Sequence, residues 1–120
     1  MDKRQSLGIS GETLACDELQ RRGYAILARR YRTRFGEIDI IARDGRTIVF
    51  VEVKARVTDD FGGAAAAITG WKARRIARMA LDYLSRRRLH DHPCRFDVVA
   101  IDFDPTGARV TVYPNAFDAT

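Results

Sequence analysis

The run GEIDIIARDGRTIVFVEVKAR, Gly36 to Arg56, constrains the fold more than any other stretch of the chain. Two segments rich in Ile, Val and Phe flank Asp44-Gly45, a dipeptide suited to a two-residue hairpin loop because it tolerates positive φ. With that loop Arg43 faces Arg46, Asp39 stands opposite Phe50, and Glu37 stands opposite Glu52. Side chains alternate along a strand, so one face reads Ile38, Ile40, Ala42, Val49, Val51 and Val53, wholly apolar. The other carries Ile41, Ile48 and Phe50 near the turn and Glu37, Asp39, Glu52 and Lys54 at the open end.

Charges gathered at one end of the most apolar stretch of a chain ask for a reason. In this register Asp39 and Glu52 are diagonal neighbours, roughly 7–8 Å apart at the backbone, within reach of one shared ion. Like charges placed opposite each other repel, so the cluster calls for a positive partner. Lys54 supplies one charge, and a divalent cation would supply the rest. Hard carboxylate oxygens without a neighbouring histidine favour Mg2+ or Mn2+ over zinc. The plainer alternative is a solvated sheet face with cross-strand ion pairs.

Around the hairpin the chain reads α-β-β-β-α-β-β. Ser10 is placed to cap a helix ending near Arg22 before Gly23. Tyr24 to Arg32 follows as a strand. After the hairpin, Phe61 to Ala67 (FGGAAAA) is a small-residue connection, and Thr69 precedes a helix over about Gly70 to Arg87. Arg95 to Phe103 and Arg109 to Tyr113 complete the strands, joined by the turn DPTG. At 120 residues, 46% apolar and 31% charged, the expected architecture is one α/β domain over residues 1–120. No apolar run reaches the roughly 18 residues of a membrane span, and MDKRQSLG lacks a signal-peptide core, so a cytoplasmic location without membrane contact is expected. Cys16 and Cys94 form no paired motif and are expected to be buried, reduced thiols.

Both helices carry polar residues in unusual places. Glu12 shares a stripe with Ala15, Cys16 and Leu19, the face expected to pack inward; it either complements the helix dipole or reaches a site. The second helix is expected to bury Ala73, Ile76, Ala77, Ala80 and Leu84, leaving Trp71, Lys72, Arg75 and Arg78 mostly on the other side. Lys72, Arg74 and Arg75 crowd its first turns, where the dipole disfavours cations. With a net charge of +5, that arrangement suits a phosphate backbone, with Trp71 either offering a stacking face or packing under a loop. His90, Asp91, His92 and Cys94 match no common zinc spacing, and no phosphate-cradling glycine motif or nucleophile motif is present.

An acid on the first helix, then Asp39, then Glu52-Val53-Lys54 thirteen residues later, resembles the PD-(D/E)XK nuclease superfamily with its restriction-endonuclease-like αβββαβ core, a mixed central sheet flanked by helices. The branch it looks most like is that of the archaeal Holliday-junction resolvases. More closely, GETLAC, RGYAIL, GEIDIIA, VFVEVKAR, Lys72 and RFDVVAI resemble the YraN family of bacterial proteins over nearly the whole chain. The resemblance implies an Mg/Mn-dependent endonuclease acting on DNA, branched or otherwise structured, in repair or recombination. Asp39 and Glu52 would be metal ligands, Lys54 would activate water or stabilise developing charge, and Glu12 would support the metal or position water. Trp71, Lys72, Arg75 and Arg78 would contact nucleic acid, and the resolvase branch suggests a homodimer. The other reading is a non-catalytic module that binds nucleic acid or a partner. This chain departs from the pattern at Ile38, where the superfamily has Pro, at Ala64 and Ala66, where relatives carry Pro and Glu, and at Arg30, where they carry Asn.

Overall fold

A computed structural model describes residues 3–57 and 70–117. Helix α1 spans Lys3–Arg21, strands β1 Ala25–Thr33, β2 Gly36–Asp44 and β3 Thr47–Val57, helix α2 Gly70–Arg86, and strands β4 Cys94–Asp104 and β5 Gly107–Tyr113. The strands form one sheet in chain order. The β3–β4 pair is parallel and the others antiparallel. A parallel pair needs a long crossover, and α2 lies in that connection. The expected mixed sheet flanked by helices, consistent with a restriction-endonuclease-like core, is the one observed. The small-residue connection and the cap at Thr69 lie outside the described residues.

Helix α1 begins at Lys3 rather than at Ser10, because residues of modest propensity do not end a helix that is already propagating. Gly11 has a packing role inside it. A Cβ built there would lie 2.8 Å from the Ala55 Cβ, so glycine lets α1 close on β3. The helix ends as the sequence suggests. Gly23, at φ 93, turns the chain while its amide donates to the Gln20 carbonyl at 2.9 Å and the Tyr24 amide donates to the Leu19 carbonyl at 3.0 Å.

The hairpin loop falls one residue later than expected. Asp44 pairs with Thr47, so Gly45 and Arg46 form the loop, with Gly45 at φ 61. Asp44 is kept on the strand by Arg95, whose Nη1 lies 3.1 Å from its carboxylate. Partners are thereby displaced by two positions: Ile41 faces Phe50 and Ile40 faces Val51. A shift of two leaves alternation intact, which is why most of the deduced faces survive. Two details are corrected. Glu37 does not face Glu52 but Arg32 on β1, with the charged groups 3.2 Å apart. Ile38 packs with Ile41 and Phe50, not with Ile40, because alternation breaks at Asp39.

Each face of the sheet has its own core. On one, Ala15, Cys16 and Leu19 of α1 pack against Ile40, Ala42, Val49, Val51, Val99 and Ile101. On the other, Ile76, Met79, Ala80, Tyr83 and Leu84 of α2 cover Ile38, Ile41, Ile48 and Phe50. Burying each large aliphatic side chain stabilises the fold by about 1.5–3 kcal/mol, so these two clusters hold β2 and β3 in place. Of the residues expected to be buried on α2, Ala77 is only half-buried, and Met79 and Tyr83 take its place. Cys16 is buried as expected, but Cys94, at the first position of β4, is exposed; both are free thiols.

Candidate active site at the mouth of the hairpin

The β2–β3 ladder stops at Ile40–Val51, one step short of Asp39 and Glu52. Beyond that point a side chain takes over the backbone's role. The Val53 amide donates to Asp39 Oδ2 at 2.7 Å, so the carboxylate sits where a strand carbonyl would otherwise accept. Across β1, between the pairs Arg29–Ile40 and Tyr31–Ile38, Arg30 adopts φ 52, a left-handed conformation uncommon for a non-glycine residue. The irregularity on β2 and the one on β1 therefore fall side by side, at the only acid inside the apolar run of β2.

Four of the charges singled out from sequence converge here. Lys72, at the start of α2, places its Nζ 2.5 Å from Glu52 Oε1, and Lys54 Nζ lies 4.0 Å from the same oxygen. Helix α2 thus delivers Lys72 to the acids, rather than to a surface remote from them. Asp39 feels the same charges. Burial, and then the charge of Glu52, push its carboxyl up to about 7; the Val53 hydrogen bond opposes the rise, Glu12 adds to it and Lys72 subtracts from it. Burial pulls Lys54 below the ordinary lysine value, helped by the hydrogen bond and charge of Lys72. Burial opposes the charge of Lys72 too, but hydrogen bonds to Glu52 and Lys54 and the attraction of Glu52 outweigh it and raise its pKa.

Glu12 does reach this end of the sheet. It is only 8% exposed, and its Oε2 accepts from Arg30 Nε at 2.8 Å. In the sequence Arg30 stands within a run of basic residues and as a departure from the pattern of similar chains, not as a partner of Glu12. Its role as the partner of Glu12 depends on the left-handed turn in β1, which no local motif announces. Trp71 is 62% exposed, with the Arg75 guanidinium 4.6 Å from its ring centroid. Arg78 lies 5.7 Å from the centroid of Phe35, a ring in the β1–β2 turn that the sequence did not single out.

Among the described residues, no group of three or more His, Cys, Asp or Glu side chains is gathered as a metal cluster. Glu12 is held by Arg30 and Glu52 by Lys72; Asp39 and Glu52, whose charges act on each other, are the pair that would meet a cation. That pair still suits magnesium, which keeps several waters and is commonly held by one or two carboxylates together with substrate phosphates. The raised Asp39 pKa reflects its burial first and the neighbouring Glu52 charge second. The histidine and cysteine stretch serves a different purpose: His92 Nδ1 lies 3.0 Å from the Arg46 carbonyl and ties the hairpin loop to the β4 approach.

A mixed five-stranded sheet with a helix packed on each face, opening its second and third strands around two acids and two lysines, defines an α/β protein with a restriction-endonuclease-like core. Residues 11–101 match the model of the uncharacterised protein family UPF0102, and the chain belongs to that family. It is similar to UPF0102 proteins of Geobacter metallireducens, 47% identical over 95% of this chain and 93% of the relative, and of Syntrophus aciditrophicus, 47% identical over 98% and 93%. A UPF0102 protein of Mycolicibacterium vanbaalenii is 48% identical over 83% of each chain.

Proposed function

We propose that the protein is a metal-dependent nuclease that hydrolyses phosphodiester bonds in DNA. The observation that carries this reading is the Asp39 carboxylate, anchored by the Val53 amide beside Glu52, with Lys54 and Lys72 converging on Glu52. Asp39 and Glu52 are the residues that would hold Mg2+ or Mn2+. Such an ion supplies neutralisation of phosphate charge and a water acidified toward neutral pH.

The remaining chemistry belongs to the side chains. Asp39 is oriented by a backbone hydrogen bond from a rigid strand, so little reorganisation is needed to present its free oxygen. Lys54, depressed by burial and by Lys72, is suited to exchange a proton near the phosphate, while Lys72 keeps its charge and steadies Glu52. Glu12 and Arg30 form a second, neutral pair on the α1 side, from which Arg30 can meet a phosphate oxygen.

The test is a titration with magnesium and with manganese, paired with cleavage assays on junction, flap, single-stranded and duplex DNA. Binding that is lost in Glu52→Ala, together with metal-dependent cleavage lost in both Glu52→Ala and Lys54→Ala, supports the nuclease. No binding and no cleavage of any substrate rejects it. One observation favours a second reading, a module that binds nucleic acid or a partner without turnover: Arg30 and Lys72 already neutralise Glu12 and Glu52 without an ion. DNA affinity that persists in the metal-free protein, with no cleavage in its presence, selects that reading.

A further inference from the structure

Two hollows flank Phe35 on the α2 side of the molecule. The larger, about 870 Å³, is lined by Tyr31, Thr33 and Asp82 with Arg32, Arg34, Arg86 and Arg87. The smaller, about 410 Å³, is lined by Trp71, Arg74, Arg75 and Arg78, and Phe35 borders both. Seven arginines against Asp82 and against Glu37, which pairs with Arg32 at 3.2 Å, make a local charge of +5. The whole chain carries +5, so all its other residues together balance to zero. The excess positive charge of this protein is therefore the charge of one surface.

Several of these guanidinium groups are held against rings. Arg34 lies 5.0 Å and Arg78 5.7 Å from the Phe35 centroid, and Arg75 lies 4.6 Å from that of Trp71. Arg75 Nε is buried and finds no hydrogen-bond acceptor among the described residues. Trp71 is mostly exposed and adjoins Lys72, whose ammonium group is on Glu52, so the surface begins at the acids and runs along α2.

We infer that this surface is a track for single-stranded nucleic acid, with phosphates in the two arginine-lined hollows and a base stacked on Trp71. This rests on the proposed nuclease reading and names the substrate class for that site. Arginines would suit any polyanion; an indole that holds Arg75 and is still 62% exposed adds a stacking surface for a base whose face is free, which a duplex does not offer. From Trp71 to Arg86, α2 is about 22 Å long, matching the short end of the roughly 4–16 nucleotides held by single-strand sites.

Trp71 is the only tryptophan in the chain, so its emission reports the stacking directly. The full-length protein in EDTA is titrated with a 12-nucleotide single strand of DNA, its RNA counterpart, the matching duplex and inorganic polyphosphate. Single strands are expected to quench Trp71 and to bind at least tenfold more tightly than the duplex. Polyphosphate is expected to bind without comparable quenching. Arg34→Ser and Arg87→Ser, both at exposed positions, are expected to weaken single-strand binding at least threefold each with unchanged melting temperature. Quenching by DNA, RNA or both supports the track and identifies which sugar it accepts. Equal or tighter duplex binding, equal quenching by polyphosphate, or full affinity in both arginine variants overturns it. Because no divalent metal is present, the outcome is separate from catalysis. Duplex cleavage without single-strand preference rejects the track alone, and single-strand preference without cleavage rejects hydrolysis alone.

Discussion

The Asp39 carboxylate accepts the Val53 amide hydrogen at 2.7 Å, across the point where the β2–β3 ladder ends. That bond converts the loss of a backbone pairing into a fixed position for an acid. It also commits the acid to a buried, crowded place, and measurable properties follow.

In the metal-free protein, stability should depend on Asp39. Its folded pKa of about 7 lies above the ordinary 3.8, so the fold binds this proton more tightly than the unfolded chain does. The contribution is full below about pH 4 and is lost as pH rises through 7. Melting temperature in EDTA should therefore fall by several degrees between pH 5 and pH 8, and Asp39→Asn should flatten that fall. An unchanged slope in the variant refutes the assignment. Saturating manganese should oppose the fall in the parent by stabilising the ionised carboxylate.

Arg30 holds Glu12 and adopts φ 52. Arg30→Asn keeps a residue that tolerates the left-handed region and releases Glu12. Manganese affinity, read by calorimetry, should rise about tenfold, equivalent to about 1.4 kcal/mol, as a third carboxylate becomes available. Equal or weaker binding would mean that Glu12 lies outside the metal's reach.

Gly11→Ala should destabilise the protein by about 1–3 kcal/mol, since its Cβ would meet that of Ala55 at 2.8 Å. Ala55→Gly in the same chain should recover part of the loss. Denaturant unfolding of the single and double variants measures the coupling, and strict additivity would argue against this contact.

Asp97 is fully buried on β4, where it accepts from Arg95 at 3.1 Å and from the Asn115 amide at 2.9 Å. Asp97→Ala removes the acceptor of the Asn115 amide and one of the two carboxylates on Arg95, and should cost about 1–3 kcal/mol. Metal affinity of the folded fraction should be unaffected, because Asp97 ties β4 to the C-terminal segment and takes no part in the acid cluster. A variant that keeps its stability but loses metal binding would reverse that assignment.

Much of this was legible from local order. The alternation of Ile and Val in β2 and β3 identified the sheet, and because a hairpin slip of two preserves faces, Ile41, Ile48 and Phe50 were placed correctly even with the loop one residue early. Glu12 could be suspected because an acid on the buried stripe of α1 is costly without a partner. Asp97, by contrast, drew no attention, since a lone acid in a strand looks the same whether it faces water or holds a buried network.

Sequence alone determined the order of the elements, most of their apolar faces and the identity of the acids and lysines, because these follow from chain periodicity and side-chain chemistry. Only the tertiary structure decided their partners. That Lys72 meets Glu52, that Arg30 meets Glu12, and that Glu37 turns away to Arg32 all depend on where α1, α2 and β1 pack against the hairpin. The physical reason is that charge pairing acts over a few ångströms between residues distant in the chain, and periodicity carries no information about that distance.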